Sequence, residues 1–273
     1  MGRVRLVSGE LTAVIARATR AEQANGQPAH EPVARMPALS FDAPGGPLVA
    51  ICGLCGGAGA STLAYTLAAA AAKRSTQPVF ACETSGITGG LALYARVAPR
   101  LSLGEAANQL AMGTSPAGLV ASSPEGVRVL SSRPTLAGRC DADGAARILD
   151  EARAAGGLTV LDCGTAGHDI DRRALSVASH VLWVIPATAS GLARGARALE
   201  LLEELVHGPQ ALVARLDRSE DTIAVSRLAE LAARWALELI LFPQVQDIAH
   251  APVAEAIDEA QVALEAIAAV LRR

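Results

Sequence analysis

Between Ile51 and Thr62 the chain reads ICGLCGGAGAST, an aliphatic stretch that runs through a glycine-rich turn into two hydroxyl residues. Glycine at Gly56, Gly57 and Gly59 lets the backbone turn with its N–H groups pointing inward, and a helix starting near Ser61 adds the positive end of its dipole. The segment Gly56, Gly57, Ala58, Gly59, Ala60, Ser61 and Thr62 therefore has the layout of a phosphate-binding loop. A tight strand-to-helix turn that needs glycine only for packing would show the same spacing, so companion residues matter. Asp162 is one. It ends the apolar run LTVLD and precedes Cys163 and Gly164, the place from which a carboxylate, together with the Ser61 hydroxyl, holds a Mg²⁺ ion and its water. Glu83 and Ser85 follow a second aliphatic run, PVFAC, and are expected at the same edge. Glu83 and Asp162 are the candidate catalytic carboxylates.

Cations are scarce where this chemistry would want them. Lys73 is the only lysine among the 24 basic residues. It lies 12 positions beyond Ser61 on an alanine-rich helix, which at about 1.5 Å per residue puts it roughly 18 Å from the phosphate end.

Cysteine supplies a rival chemistry. Cys52 and Cys55 form C-x-x-C, and Cys55, Cys82 and Cys163 are expected near one edge, where thiolates close to a helix N-terminus have lowered pKa. Against a metal or redox site, Cys52 falls inside a strand, where cysteine behaves as a small hydrophobe, and no second pair accompanies the motif. The odd total of five cysteines argues for reduced thiols over a disulfide framework.

The elements that must position these groups follow from periodicity. Short aliphatic runs at Leu48–Cys52, Pro78–Cys82, Val127–Leu130, Leu158–Asp162, Val181–Ile185, Ala211–Ala214 and Leu239–Leu241 alternate with longer helical stretches. The helices are expected at Ser61–Lys73, Leu103–Ala111, Ala142–Ala155, after Ile185 to Leu205, at Val225–Ala236 and over one last helix, Val253–Leu271. Continuous aliphatic strands separated by helices specify an open, doubly wound, mostly parallel α/β sheet with helices on both faces, whose ligands sit at the C-terminal strand edge. Residues 1–23 contain a short helix, 24–47 read as a flexible linker rich in proline, glycine and polar residues, and the main domain occupies 48–273.

Composition narrows the function classes. Hydrophobic residues make up 51% of the 273, yet aromatics only 3%, so the apolar content is aliphatic and small. A net charge of −3 gives no strong nucleic-acid signal. The apolar run Leu63–Ala72 is too short to span a bilayer and ends at Lys73, and Glu10 and Arg17 interrupt the N-terminal apolar stretch. A cytoplasmic protein with no transmembrane segment is expected.

Taken in order, CGGAGAST, CETSGITGGLALYARVAPRLSLGEA, LTVLDCGTAGHD and HVLWVIPATASGLARGARALELL resemble the ParA/MinD family of deviant Walker P-loop ATPases. Within it, the run from Leu91 to Leu103 and the later SPEGVRVL are most similar to CpaE-like proteins of Tad pilus assembly. The resemblance covers about Leu48 to Leu271. It implies ATP or ADP with Mg²⁺ as cofactor, a homodimer, protein partners in a pilus, secretion or partitioning system, and recruitment by a partner to the membrane or cell pole. The family's loop is K-G-G-x-G-K-[ST]. Here Gly56, Gly57, Gly59, Ser61 and Thr62 match, while Cys55 and Ala60 stand where the two lysines would be. Of the family's two switch carboxylates, Glu83 keeps the charge and Ser85 does not. Where the family often has an Asn near the adenine, this chain has ALVAR, Ala211 to Arg215. Arg194 or Arg197, after VLWVI, are the nearest candidates by topology for a substitute cation.

Two readings follow. In the favoured one the chain keeps the fold as a non-hydrolysing or weakly active adaptor, a pseudo-ATPase that helps to position or assemble a pilus or secretion machine. In the alternative it is an active ATPase switch in chromosome or plasmid partitioning or septum-site placement. The acidic last helix is expected to dock on the sheet and not on a membrane.

Overall fold

Eight strands form one sheet in the order β3-β4-β2-β5-β1-β6-β7-β8 in this computed structural model, which describes residues 45–85, 90–113, 120–133, 141–155, 157–216 and 225–273. The strands are β1 (Leu48–Gly53), β2 (Val79–Glu83), β3 (Ala121–Ser122), β4 (Val127–Leu130), β5 (Thr159–Asp162), β6 (His180–Pro186), β7 (Gln210–Arg215) and β8 (Glu238–Phe242). All pair in parallel except β3, a two-residue edge antiparallel to β4 that the sequence reading did not include. The expected N-terminal helix and most of the expected linker lie outside the described residues.

Helices cover both faces. On one side lie α1 (Ala60–Ala72), α2 (Gly90–Tyr94), α8 (Val253–Glu259) and α9 (Gln261–Val270); on the other lie α3 (Leu103–Ala111), α4 (Ala142–Ala154), α5 (Asp169–Val177), α6 (Ala189–Leu202) and α7 (Val225–Arg234). Strand β1 feeds both cores, Val49 and Ile51 on the first face, Leu48, Ala50 and Cys52 on the second. Its six residues are all buried, which is why it reads as an unbroken aliphatic run with no alternation.

The alanine content has a structural use. Helix α1 buries Ala68, Ala69, Ala70 and Ala71 against the sheet, and these small side chains let the helix axis come close and aim its N-terminus at the strand edge. Lys73 caps the far end of α1 and is exposed, so the only lysine is remote from the loop.

Three expectations need correction. The last helix is two helices, because the backbone leaves helical geometry at Ala260 (φ −95°, ψ 7°), next to Glu259, whose carboxylate accepts the Gln246 N–H at 3.0 Å. Both pieces dock on the first core through Ile257, Leu264 and Ile267, while Val262 is 64% exposed. Helices α2 and α5 were not anticipated: α2 is only five residues long, and the polar sequence of α5 hides the buried stripe Ile170, Ala174 and Leu175. Among the described residues no helix is long and apolar enough to cross a membrane.

Candidate functional site

The loop between β1 and α1 makes its turn with glycine in the left-handed region at Gly57 (φ +73°) and Gly59 (φ +96°). Gly59 is the N-cap of α1 and has no side chain to cap it, so the first-turn N–H groups face outward without a side-chain acceptor. They open into a cleft of about 420 Å³. All seven loop residues from Gly56 to Thr62 line it, as do Glu83, Ser85 and Asp162, so the chain's expected site residues meet in one place.

Register brings the carboxylates together. Ile51 of β1 is opposite Asp162 of β5, and Asp162 is opposite Glu83 of β2, so β2 and β5 end at one level while β1 runs two residues further into the loop. Asp162 is 3% exposed; its Oδ1 accepts the Gly164 N–H at 3.2 Å, and its carboxylate also bonds Ser61. Burial, with Glu83 and Asp171 as neighbouring charges, pushes its carboxyl up to about 6 despite those bonds. The Ser131 hydroxyl bonds Glu83, itself 3% exposed.

Asp171, on the unanticipated α5, is a third carboxylate in the cleft. It is 1% exposed and accepts the His168 N–H at 3.0 Å, and the Thr84 hydroxyl lies between its Oδ1 and the Asp162 carbonyl oxygen. Burial raises its pKa, partly offset by the hydroxyls of Thr84 and Ser85. The only clue to it in the sequence was GHDID after the strand ending at Asp162, a capping pattern whose Asp reaches back to the His168 backbone.

Among the described residues that line the cleft, the one arginine is Arg215, at the end of β7. A Cβ placed on Gly59 would stand 3.1 Å from the Arg215 Cδ and 3.4 Å from its Nη1. Arg194 and Arg197, the expected substitutes, are exposed on α6 and do not line the cleft; Arg194 Nε donates to the Ser190 carbonyl in its own helix. Both strands end at one level, Pro186 opposite Arg215, but Arg194 and Arg197 lie further on in α6, whereas Arg215 is itself the last residue of β7.

No family model and no curated protein matches this sequence. Solved structures do: a ParA family ATPase from Chlorobium tepidum TLS superposes with a TM-score of 0.66 at 14% identity, over 83% of this chain and 99% of that one. The fold is that of the ParA and MinD ATPases. The MinC:MinD cell division complex of Aquifex aeolicus matches at TM-score 0.62 and 16% identity, over 82% of this chain and 94% of that one. Cobyrinic acid a,c-diamide synthase from Mycobacterium smegmatis, with a bound ATP analog and magnesium, matches at TM-score 0.60 and 16% identity, over 80% and 92%. At such identities the likeness is one of fold.

Within the ParA/MinD fold the C-x-x-C pair is divided between the two cores. Cys55 packs into the first core, while Cys52, Cys82 and Cys163 pack into the second, on the other face of the sheet. Burial raises all three thiols of the second core, Cys82 to about 12, the reverse of the lowered values that a reactive site needs. Among the described residues no three potential ligands are grouped to hold a metal.

Proposed function

We propose that this chain is a nucleotide-responsive adaptor built on the ParA/MinD fold, with turnover at or near background, that acts in the positioning or assembly of a pilus or secretion machine. One observation carries the reading: the loop keeps left-handed Gly57 and Gly59 and an uncapped helix start, yet Cys55 and Ala60, each 8% exposed and part of the apolar core, stand where the resemblance implies two lysines. The pilus or secretion assignment rests on the CpaE-like resemblance.

The residues present suit a Mg²⁺-nucleotide. Positive φ at Gly57 and Gly59 and the uncapped start of α1 offer backbone donors for phosphate oxygens, and the open space around Gly56 and Gly57 admits them. Ser61 and Asp162 would hold the Mg²⁺, which supplies charge neutralisation when bound. Glu83 and Asp171 keep the cleft acidic and would orient water. Without either loop lysine, charge developing on the terminal phosphate has no side-chain donor from the loop, and losing such a donor costs about 10²–10³ in rate. Binding then serves as a signal and not as fuel, read by a protein partner or a second copy of the chain. Recruitment by that partner would bring a cytoplasmic protein to the membrane or pole.

Calorimetry with Mg-ATP and Mg-ADP, beside a steady-state turnover assay on the full chain, tests this. Weak binding with background turnover is expected. Turnover like that of a working ATPase, abolished in Asp162→Ala, overturns it and favours a partitioning or septum-placement switch.

A further inference from the structure

Arg215 joins two cavities. Besides the cleft, a second cavity of about 300 Å³ opens beyond the loop, and Gly59, Thr62 and Arg215 belong to the walls of both. The second cavity has apolar walls at Leu63, Val184, Val213 and Phe242, the kind of surface a planar base lies on. The carboxylates divide differently. Glu83, Asp162 and Asp171 all border the first cleft and none borders the second, where Asp247, the one carboxylate among the described lining residues, is exposed and occupied with His250 and the Ala249 N–H. Among the described lining residues, acid is gathered at the far end of the loop and a guanidinium stands at the junction.

The local chain is shaped for that guanidinium. Arg215 is register partner to Pro186 at the end of β6, which carries its Cα to the edge of the sheet, and its side chain then lies across Gly59. Any other residue at 59 would put a Cβ within 3.1 Å of the Arg215 stem. Glycine there serves the turn and also makes room for the arginine.

We infer that Arg215 supplies the phosphate-binding charge absent from positions 55 and 60, from the nucleoside side of the loop, and that this placement makes the cleft a site for a nucleoside diphosphate in preference to a triphosphate. The inference rests on the nucleotide reading above and deepens it. A guanidinium offers a planar fork of donors that matches two phosphate oxygens, and at the junction of the cavities it meets the phosphates nearest the nucleoside. A third phosphate would extend toward Glu83, Asp162 and Asp171, where a Mg²⁺ held by Ser61 and Asp162 would offset only part of the three carboxylates and no loop lysine would add to it, so like charges in a partly buried site repel.

The test is calorimetric titration of the full chain with Mg²⁺ and ADP, ATP or adenosine, in wild type, Arg215→Gln, Arg215→Lys and Arg215→Met, each shown folded by its melting curve. The methionine variant keeps the stem over Gly59 while removing the charge, and stands in if the glutamine variant does not fold. Wild type is expected to bind ADP at least as tightly as ATP. Loss of the charge should weaken ADP about ten-fold or more, the scale of one charge-assisted bond, with adenosine unchanged and lysine intermediate. ADP affinity equal to or above wild type in Arg215→Met would mean that the arginine only packs on the loop, and would overturn the inference while leaving the nucleotide reading standing. ATP bound ten-fold more tightly than ADP by wild type overturns the diphosphate preference. Absence of binding by every nucleotide, to wild type and to Ala60→Lys alike, overturns both.

Discussion

Glu83 and Asp162 are register partners on adjacent parallel strands, both 3% exposed, with no lysine among the residues that line their cleft. Two buried carboxylates side by side weaken the fold that holds them, a cost that the proposed binding site would account for.

Asp162 makes that cost measurable. Its folded pKa, about 6, exceeds its ordinary value of 3.8, so the folded chain holds the proton more tightly than the unfolded one. Its contribution to stability is present below pH 4, is lost as pH rises through 6, and stays lost above. A shift near two units corresponds to about 3 kcal/mol. Asp162→Asn should therefore melt several degrees above wild type at pH 7.5, with the gap closing toward pH 4. Thermal unfolding across that range checks it, and the same variant should lose Mg²⁺-dependent nucleotide binding.

His180 works in the opposite sense. At the start of β6 its Nδ1 lies 2.9 Å from the Ser179 hydroxyl, its Nε2 has no partner among the described residues, and burial lowers its pKa. The unfolded chain takes up a proton near pH 6.5 that the folded chain refuses, so stability falls as pH drops below 6.5. Replacing the ring by His180→Asn should flatten that acid limb. Melting temperatures of the single and double variants with Asp162→Asn separate the two contributions.

Restoring a lysine is the direct probe of the loop. Ala60 is at the first position of α1 and lines the cleft, so the side chain of Ala60→Lys has an exit toward the phosphates. A gain of about 1.5–3 kcal/mol, ten-fold or more in Kd for Mg-ATP, is expected. Turnover should recover less, since Ser85 and Cys55 remain. No gain on calorimetry would reduce the loop to a structural turn.

Alanine at Gly57 and at Gly59 should behave differently. Both positions are left-handed, so each substitution costs about 1 kcal/mol in backbone strain. Around Gly57 there is open space, whereas at Gly59 the new Cβ meets Arg215 at 3.1 Å. Both should lower nucleotide affinity, Gly57→Ala by placing its Cβ in the space that admits the phosphates and Gly59→Ala by displacing Arg215, so only the Gly59→Ala loss should vanish in an Arg215→Met background, and titration of the variants decides this.

The buried thiols should resist alkylation. Cys52, Cys82 and Cys163 are buried and have raised pKa values, so iodoacetamide at pH 8 should label them only after unfolding. Peptide mapping of native and denatured samples reads the outcome.

Most of the layered architecture was legible in the sequence because a parallel sheet covered on both faces demands strands apolar at every position. Leu48–Cys52 and Val181–Ile185 could be read with no knowledge of their neighbours. The loop was legible too, since left-handed turns at Gly57 and Gly59 require glycine wherever they occur. Asp162 announced itself as a carboxylate at the end of an apolar run. Strand order decided the rest. Arg215 reaches Gly59 only because β7 lies beside β6 and β6 beside β1, a relationship set by packing between distant segments and absent from any local pattern. The pairing of Glu83 with Asp162 depends on the register of β2 against β5, and Asp171 on a helix whose apolar stripe is too sparse to read. Cys52 and Cys55, three positions apart in sequence, are parted by the sheet between them, because the strand ends at Gly53 and the chain crosses to the other face before Cys55.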